Sequence, residues 1–330
     1  MSELPRRAFL AFGGGLLLAQ AATREGAQPP ASSPPPPPKA LPRAWLQALT
    51  LPLWPGEPPG SGFTPQSPPA DWSPVFVRNV ATPNLRVFRP ARASGEALLV
   101  VPGGSYWFVS VANEGVEIAD RMTSLGLTVF VLTYRLPGEG WKDQSSVPLQ
   151  DAQRAMRVIR SDASRFAIDA TRVSVLGFSA GGHLAATLAT QYGEQTYGRV
   201  DSMDDLSPRP FAAGLVYPVI TMESPFTHAM SRKQLLGETP SNKEVEHRSA
   251  ERHVDVGTPP AFIVHAFDDE AVPVENSLRF MNAMREHKRP VEAHLLQEGG
   301  HAFGVGRPGT PSERWISLFS TWLGRLRHAE

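Results

Sequence analysis

From about residue 75 to the end of the chain, short β-forming apolar runs alternate with helical stretches, and that alternation leaves few folds open. Neighbouring parallel strands need a long crossover, which a helix ordinarily supplies. The chain therefore reads as α/β: a doubly wound, mostly parallel sheet with helices on both faces. The expected strands are 75–80, 85–88, 97–101, 127–133, 172–176, 212–219, 261–266 and 291–296. The expected helices are 113–125, 148–166, a stretch from the turn at 177–181 to about 192, 275–286 and 312–326. Pro148 opens the second of these, where its fixed φ suits a first turn. Residues 221–257 are polar and lie between two strands, with room for a small cap.

The N-terminal part is composed differently. Arg6-Arg7 precede an apolar stretch over 8–19, and Ala19-Gln20-Ala21 follows. A basic start, a short apolar middle and a small-x-small site are the parts of a signal peptide, expected over 1–21. Arg6, Arg7, Phe9 and Leu10 stand as in a twin-arginine signal, with the general secretory route as the alternative. The apolar run falls short of the roughly 20 residues that span a bilayer. The expected location is therefore exported, periplasmic or extracellular, with no stable membrane insertion. Residues 22–69, with Pro29-Pro30 and the run Pro34 to Pro38, read as a Pro-rich linker and irregular extension, and 70–330 as the catalytic domain.

Acids and bases balance at 32 each, so nothing in the charge points to nucleic acid or an anionic membrane surface. There is no cysteine, which removes disulfides, thiolate metal sites and cysteine nucleophiles. No metal or dinucleotide motif stands in the chain, and no cofactor is expected.

Gly177-Phe178-Ser179-Ala180-Gly181 is a G-x-S-x-G motif between an apolar strand and a helix rich in Leu and Ala. That is the setting of a nucleophile elbow, in which a sharp turn holds the serine Oγ above the sheet. Such a serine needs a base, and the base an orienting acid, in the chain order Ser, acid, His. Asp268 and Asp269 follow the apolar run 262–266 and are expected at the sheet edge where the elbow opens; local sequence does not separate them. His301, between Gly299-Gly300 and Ala302-Phe303-Gly304, is the expected base. His183 lies on the elbow helix, too near Ser179 in sequence to face it. His265 lies inside a strand and reads as a core histidine. Pro102-Gly103-Gly104-Ser105-Tyr106 follows a strand early in the domain and could bring backbone N–H groups to an ester oxygen. Trp107 and Phe108, just beyond it, either narrow an acyl pocket or pack as core.

With these motifs in order, the chain resembles the bacterial acetyl- and feruloyl-esterase-like branch of the α/β hydrolases, near the hormone-sensitive-lipase-type esterases. The resemblance runs from about 98 to 303. It also takes in Glu114-Gly115, Tyr134-Arg135-Leu136, and Asp268 to Ser277. The family's acid lies in D-x-x-V-P, which here is Asp269, Val272 and Pro273. The resemblance implies oxyanion donors at Gly104, Ser105 and Ala180; Ser105 replaces a usual glycine, so its backbone must reach an unusual conformation. The activity implied is a serine carboxylic ester hydrolase with a Ser179–His301–Asp269 triad, acting as a carbohydrate O-acyl esterase on acetylated plant polysaccharides or their fragments. Feruloyl or general short-chain ester hydrolysis is the neighbouring alternative. A serine peptidase of the prolyl-oligopeptidase type shares the elbow and D-x-x-V-P, but the chain has no room for its added propeller. A catalytically silent binding protein on the same scaffold is the remaining rival.

Overall fold

The computed structural model describes residues 38–327. The expected signal peptide and the polyproline run up to Pro37 lie outside the described residues. An eight-stranded sheet runs through the molecule, with helices on both faces. Its strands in chain order are β1 (Leu49–Pro52), β3 (Asn84–Phe88), β4 (Ala97–Val101), β6 (Thr128–Thr133), β7 (Val173–Phe178), β8 (Ala213–Val216), β9 (Ala261–Ala266) and β10 (Val291–Leu296). Two short strands, β2 (Phe76–Val77) and β5 (Val109–Ser110), form a separate antiparallel ribbon. The sheet order is β1-β3-β6-β4-β7-β8-β9-β10. Only β3 runs against the rest; β1, antiparallel to β3, points the same way as the parallel strands. β4, β6, β7 and β9 are buried at every residue, as strands covered on both faces must be, and their Val, Leu, Ile and Phe runs supply that apolar surface.

After β4 the chain adds β6 on one side, then crosses back to add β7 on the other. Ligands of doubly wound sheets bind in the crevice at the carboxyl ends of the strands where the order reverses. Here that crevice lies between the loops leaving β4 and β7, which are the Gly-rich loop at 102–106 and the elbow.

The β4, β9 and β10 strands, and the helix α8 (Glu275–Glu286), fall where the sequence periodicity places them. The expected strand 75–80 shrinks to two residues. Asn79 turns to φ 57°, and its amide, with that of Val80, donates to the Glu139 carboxylate instead of to a strand. The expected helix 113–125 begins as a π-turn, Ala112–Val116, and continues as α2 (Glu117–Ser124). The expected helix 148–166 is broken at Asp162 into α3 (Val147–Ser161) and α4 (Ala163–Phe166). Between β8 and β9, where a cap was expected, lie α6 (Ala229–Leu236) and α7 (Asn242–His247), with a 3₁₀ turn at Ala250–His253.

The larger difference is in the extension expected to be irregular. Residues 43–54 form α1 (Arg43–Gln47) and β1, and bury Trp45, Leu51, Leu53 and Trp54 in the main core. The proline content misleads because β1 is an edge strand, and Pro52 at its end has no ladder amide to lose. From α3, Arg154 Nε donates to the Leu53 carbonyl at 2.8 Å, and the Trp54 indole donates to Asp151 at 3.0 Å. The packed domain therefore begins well before residue 70.

Candidate active site

Ser179 is the first residue of α5 (Ser179–Thr190) and has φ 52°, a strained conformation for a side-chain-bearing residue. The flanking glycines make the turn possible. A Cβ on Gly181 would run into the carbonyls of Val101 and Pro102, and one on Gly177 into the Gly181 carbonyl. The turn leaves the Ser179 side chain at the crevice while the positive end of the α5 dipole lies beneath it.

The structure brings Ser179, His301 and Asp269 together. His301 Nε2 is 2.9 Å from Ser179 Oγ, and His301 Nδ1 is 2.7 Å from Asp269 Oδ2. The Oδ1 of Asp269 accepts from the amides of Ala271 and Val272, both at 2.9 Å. Asp268 is exposed and does something else: its Oδ1 accepts from the Gly300 amide at 2.7 Å, fastening the histidine loop. Arg307 fastens the same loop through the His301 carbonyl, at 2.9 Å.

Sequence reasoning did not foresee a second imidazole on the acid. His265 is buried, and its Nε2 lies 3.1 Å from Asp269 Oδ2 and 3.0 Å from the Val272 carbonyl. Facing two acceptors, Nε2 carries the proton, and Nδ1 meets the Ser277 hydroxyl at 2.8 Å. Burial works against the Asp269 charge. Hydrogen bonds from His265 and His301, the His301 charge and the Val272 amide more than offset it, and hold the carboxyl well below the usual carboxylate range. The signal for His265 was available in its place four residues before Asp269, at the end of β9.

His183 is buried and makes no hydrogen bond to Ser179. Its Nδ1 accepts from the Tyr106 hydroxyl at 2.7 Å, and its Nε2 donates to the Arg248 carbonyl at 2.7 Å. Desolvation pushes its pKa down to about 4.

The loop after β4 crosses three successive positive φ angles: Gly104 at 128°, Ser105 at 58° and Tyr106 at 60°. Ser105 thus adopts the left-handed conformation that a glycine would reach more easily. Among the described residues no group accepts from the Gly104 or Ser105 amide. The Ala180 amide lies in the first turn of α5, where helix donors lack intrahelical partners. The loop passes close to Ser179 at Gly103, where an added Cβ would approach Ser179 Cβ to 2.8 Å. Trp107 and Phe108 are half-buried and pack edge-on against Trp72 at 5.1 and 5.6 Å, with the Arg78 guanidinium over Trp107 at 4.6 Å.

The profile of the BD-FAE family matches residues 85–284. Endo-1,4-beta-xylanase B of Butyrivibrio fibrisolvens is 36% identical over 229 residues, 69% of this chain and 34% of that protein. The acetylxylan esterase of Xylanibacter ruminicola is 31% identical over 240 residues, 72% of this chain and 47% of its own length. The chain thus spans half or less of these two relatives. Among solved structures, an acetyl ester-xyloside bifunctional hydrolase from Caldicellulosiruptor lactoaceticus superposes with a TM-score of 0.72 at 32% identity, covering 85% of this chain and 97% of that one. A carboxylesterase from Lactobacillus plantarum gives 0.60 at 27% identity, covering 74% and 92%.

Proposed function

The chain belongs to the BD-FAE family of α/β hydrolases, and from that premise we propose that it is a serine carboxylic ester hydrolase that removes short acyl groups, acetyl first, from plant polysaccharides or their fragments. The observation that carries the reading is the continuous chain of hydrogen bonds from Ser179 Oγ through both nitrogens of His301 to Asp269. His301 Nδ1 donates to Asp269, so Nε2 is free to take the Ser179 proton as Oγ attacks the ester carbonyl. Asp269 stays ionised and stabilises the imidazolium that forms. On this reading the amides of Gly104, Ser105 and Ala180 serve as donors to the oxygen that becomes negative, where fixed donors lower the barrier most. His301 then returns its proton to the leaving alcohol, and water attacks the acyl-enzyme by the same route. Acetyl on a carbohydrate is favoured by two relatives, an acetylxylan esterase and an acetyl ester-xyloside hydrolase, the second covered over 97% of its length.

The test compares 4-nitrophenyl acetate, butyrate and octanoate, then acetate release from acetylated xylan and ferulate release from methyl ferulate. Acetate should turn over fastest and the polymer should lose acetate. Ser179→Ala should lower kcat on the order of 10⁴- to 10⁶-fold while the fold stays intact. Faster turnover of octanoate, with no acetate released from xylan, favours a general lipolytic esterase. An Ser179→Ala variant within tenfold of the parent places the nucleophile elsewhere.

We also propose export through Arg6-Arg7, which would bring the enzyme to polymeric substrate. Replacing both by Lys should trap precursor in the cytoplasm, and normal export of that variant would exclude the twin-arginine route.

A further inference from the structure

Glu114 is a buried carboxyl that the hydrolytic steps above do not use. It sits in the π-turn before α2, whose wide winding is marked by the Val116 amide donating to the Val111 carbonyl at 2.9 Å. Such π-turns displace side chains from the helical register and recur at functional sites. Here the displacement aims Glu114 at the floor of the crevice. Its Oε2 accepts from the Gly103 amide at 2.7 Å, and its Oε1 accepts from the Tyr217 hydroxyl at 2.8 Å. No cation pairs with it among the described residues.

Each partner leads to a different half of the active site. Gly103 immediately precedes Gly104 and Ser105, and a Cβ on Gly103 would meet Ser179 Cβ at 2.8 Å and Glu114 Oε2 at 3.0 Å. Gly103 is thus wedged between the nucleophile and the carboxyl. Tyr217, just past β8, accepts from the Gly304 amide at 3.2 Å, so it holds the loop that carries His301. Its ring packs edge-on against the His301 imidazole at 4.9 Å and against Phe303 at 4.5 Å. The Tyr134 hydroxyl, on the Pro102 carbonyl at 2.9 Å, is a further tie to the oxyanion loop. It reaches neither Tyr217 nor Gly304.

We infer that Glu114 is a positioning residue that couples the oxyanion loop to the histidine loop, so that donors and base reach Ser179 in one fixed arrangement. The inference rests on the ester-hydrolase reading. A single carboxyl bridging two donors from different loops holds both distances at once, which two independent anchors would not. Burial makes the carboxyl costly, and a fully satisfied buried polar group serves to specify one arrangement. Because Glu114 never touches substrate, its loss should weaken transition-state binding more than ground-state binding.

The experiment uses the full chain and its Glu114→Ala, Glu114→Gln and Tyr217→Phe variants, with 4-nitrophenyl acetate as substrate and an alkylboronic acid as probe of the tetrahedral adduct. Glu114→Ala should lower kcat about 10²-fold, the scale of a misplaced site or one lost oxyanion donor, with KM little changed. Boronic acid affinity should fall by a similar factor. Glu114→Gln keeps an oxygen for the Gly103 amide and should stay within about tenfold of the parent. Tyr217→Phe cuts both hydroxyl links and should lower kcat by about tenfold. A folded Glu114→Ala variant with parental kcat overturns the inference. So does a loss confined to KM, or a fall in kcat with unchanged boronic acid affinity. If Glu114→Ala does not fold, parental kcat in Tyr217→Phe overturns it. An inactive parent, or an active Ser179→Ala variant, instead defeats the ester-hydrolase reading.

Discussion

Asp151 and Asp269 both lie almost wholly out of water, one facing a guanidinium and the other two imidazoles. Asp151 is clamped by Arg135, whose Nη2 and Nε reach it at 2.7 and 2.9 Å, with both side chains fully buried. It also accepts from the Arg135 amide and the Trp54 indole, so it ties α3, the end of β6 and the N-terminal extension together. Its charge is cancelled where it stands. Asp269 is held only by backbone amides and by histidines. Its charge is left for His301 to meet when that ring takes up a proton. The same residue type thus serves cohesion where its counter-charge is permanent and, under the proposed mechanism, catalysis where the counter-charge arises during the reaction.

The comparison breaks most readily at Asp269. Asp269→Asn should lower kcat about 10⁴-fold, because the imidazole loses its orienting acceptor. Asp268→Asn, which keeps an oxygen for the Gly300 amide, should cost about tenfold or less. A larger loss at Asp268, read as kcat for both variants, would reverse the assignment of the acid.

Asp151→Ala should do the opposite. Removing one partner of a buried pair strands the other, and the expected loss is about 3–5 kcal/mol of unfolding free energy in urea, with kcat per folded molecule unchanged. A variant that keeps its stability and loses turnover would show that the clamp belongs to the site.

Acid sharpens the contrast with a smaller effect. The Asp269 pKa is depressed in the fold, so its contribution is full above its unfolded value of about 3.9 and fades only as pH falls through the lower folded one. It should not contribute to destabilisation between pH 7 and pH 4.5. His183 is also depressed, to about 4, because burial disfavours its charged form. The unfolded chain protonates it near 6.5, so the stability it lends is full above that pH and falls on acidification. At about 1.4 kcal/mol per pH unit the loss approaches about 3 kcal/mol by pH 4. Urea midpoints at pH 7 and 4.5 for the parent and His183→Gln check this. An equal loss in both would assign the acid sensitivity to another group.

Much of the fold was legible because strand and helix signals are local. The unbroken apolar runs of β4 and β9 announce strands covered on both faces, and Gly-Phe-Ser-Ala-Gly between a strand and a helix announces a turn that only small residues permit. Leu49–Pro52 escaped notice because its proline content reads as linker, while its edge position is set by pairing with β3.

By itself, then, the sequence determined the alternation of elements, the elbow at Ser179, and the order of nucleophile, acid and base, since each is written in residues adjacent along the chain. Only the tertiary structure decided which polar atoms meet. The Tyr217 hydroxyl reaches Glu114 across 103 residues, the Trp54 indole reaches Asp151 across 97, and Asp268 and Asp269 divide between a backbone amide and an imidazole 32 residues away. A buried donor must find an acceptor wherever folding leaves one within about 3 Å. That distance is set by the packing of the whole sheet and its helices, and no local pattern encodes it.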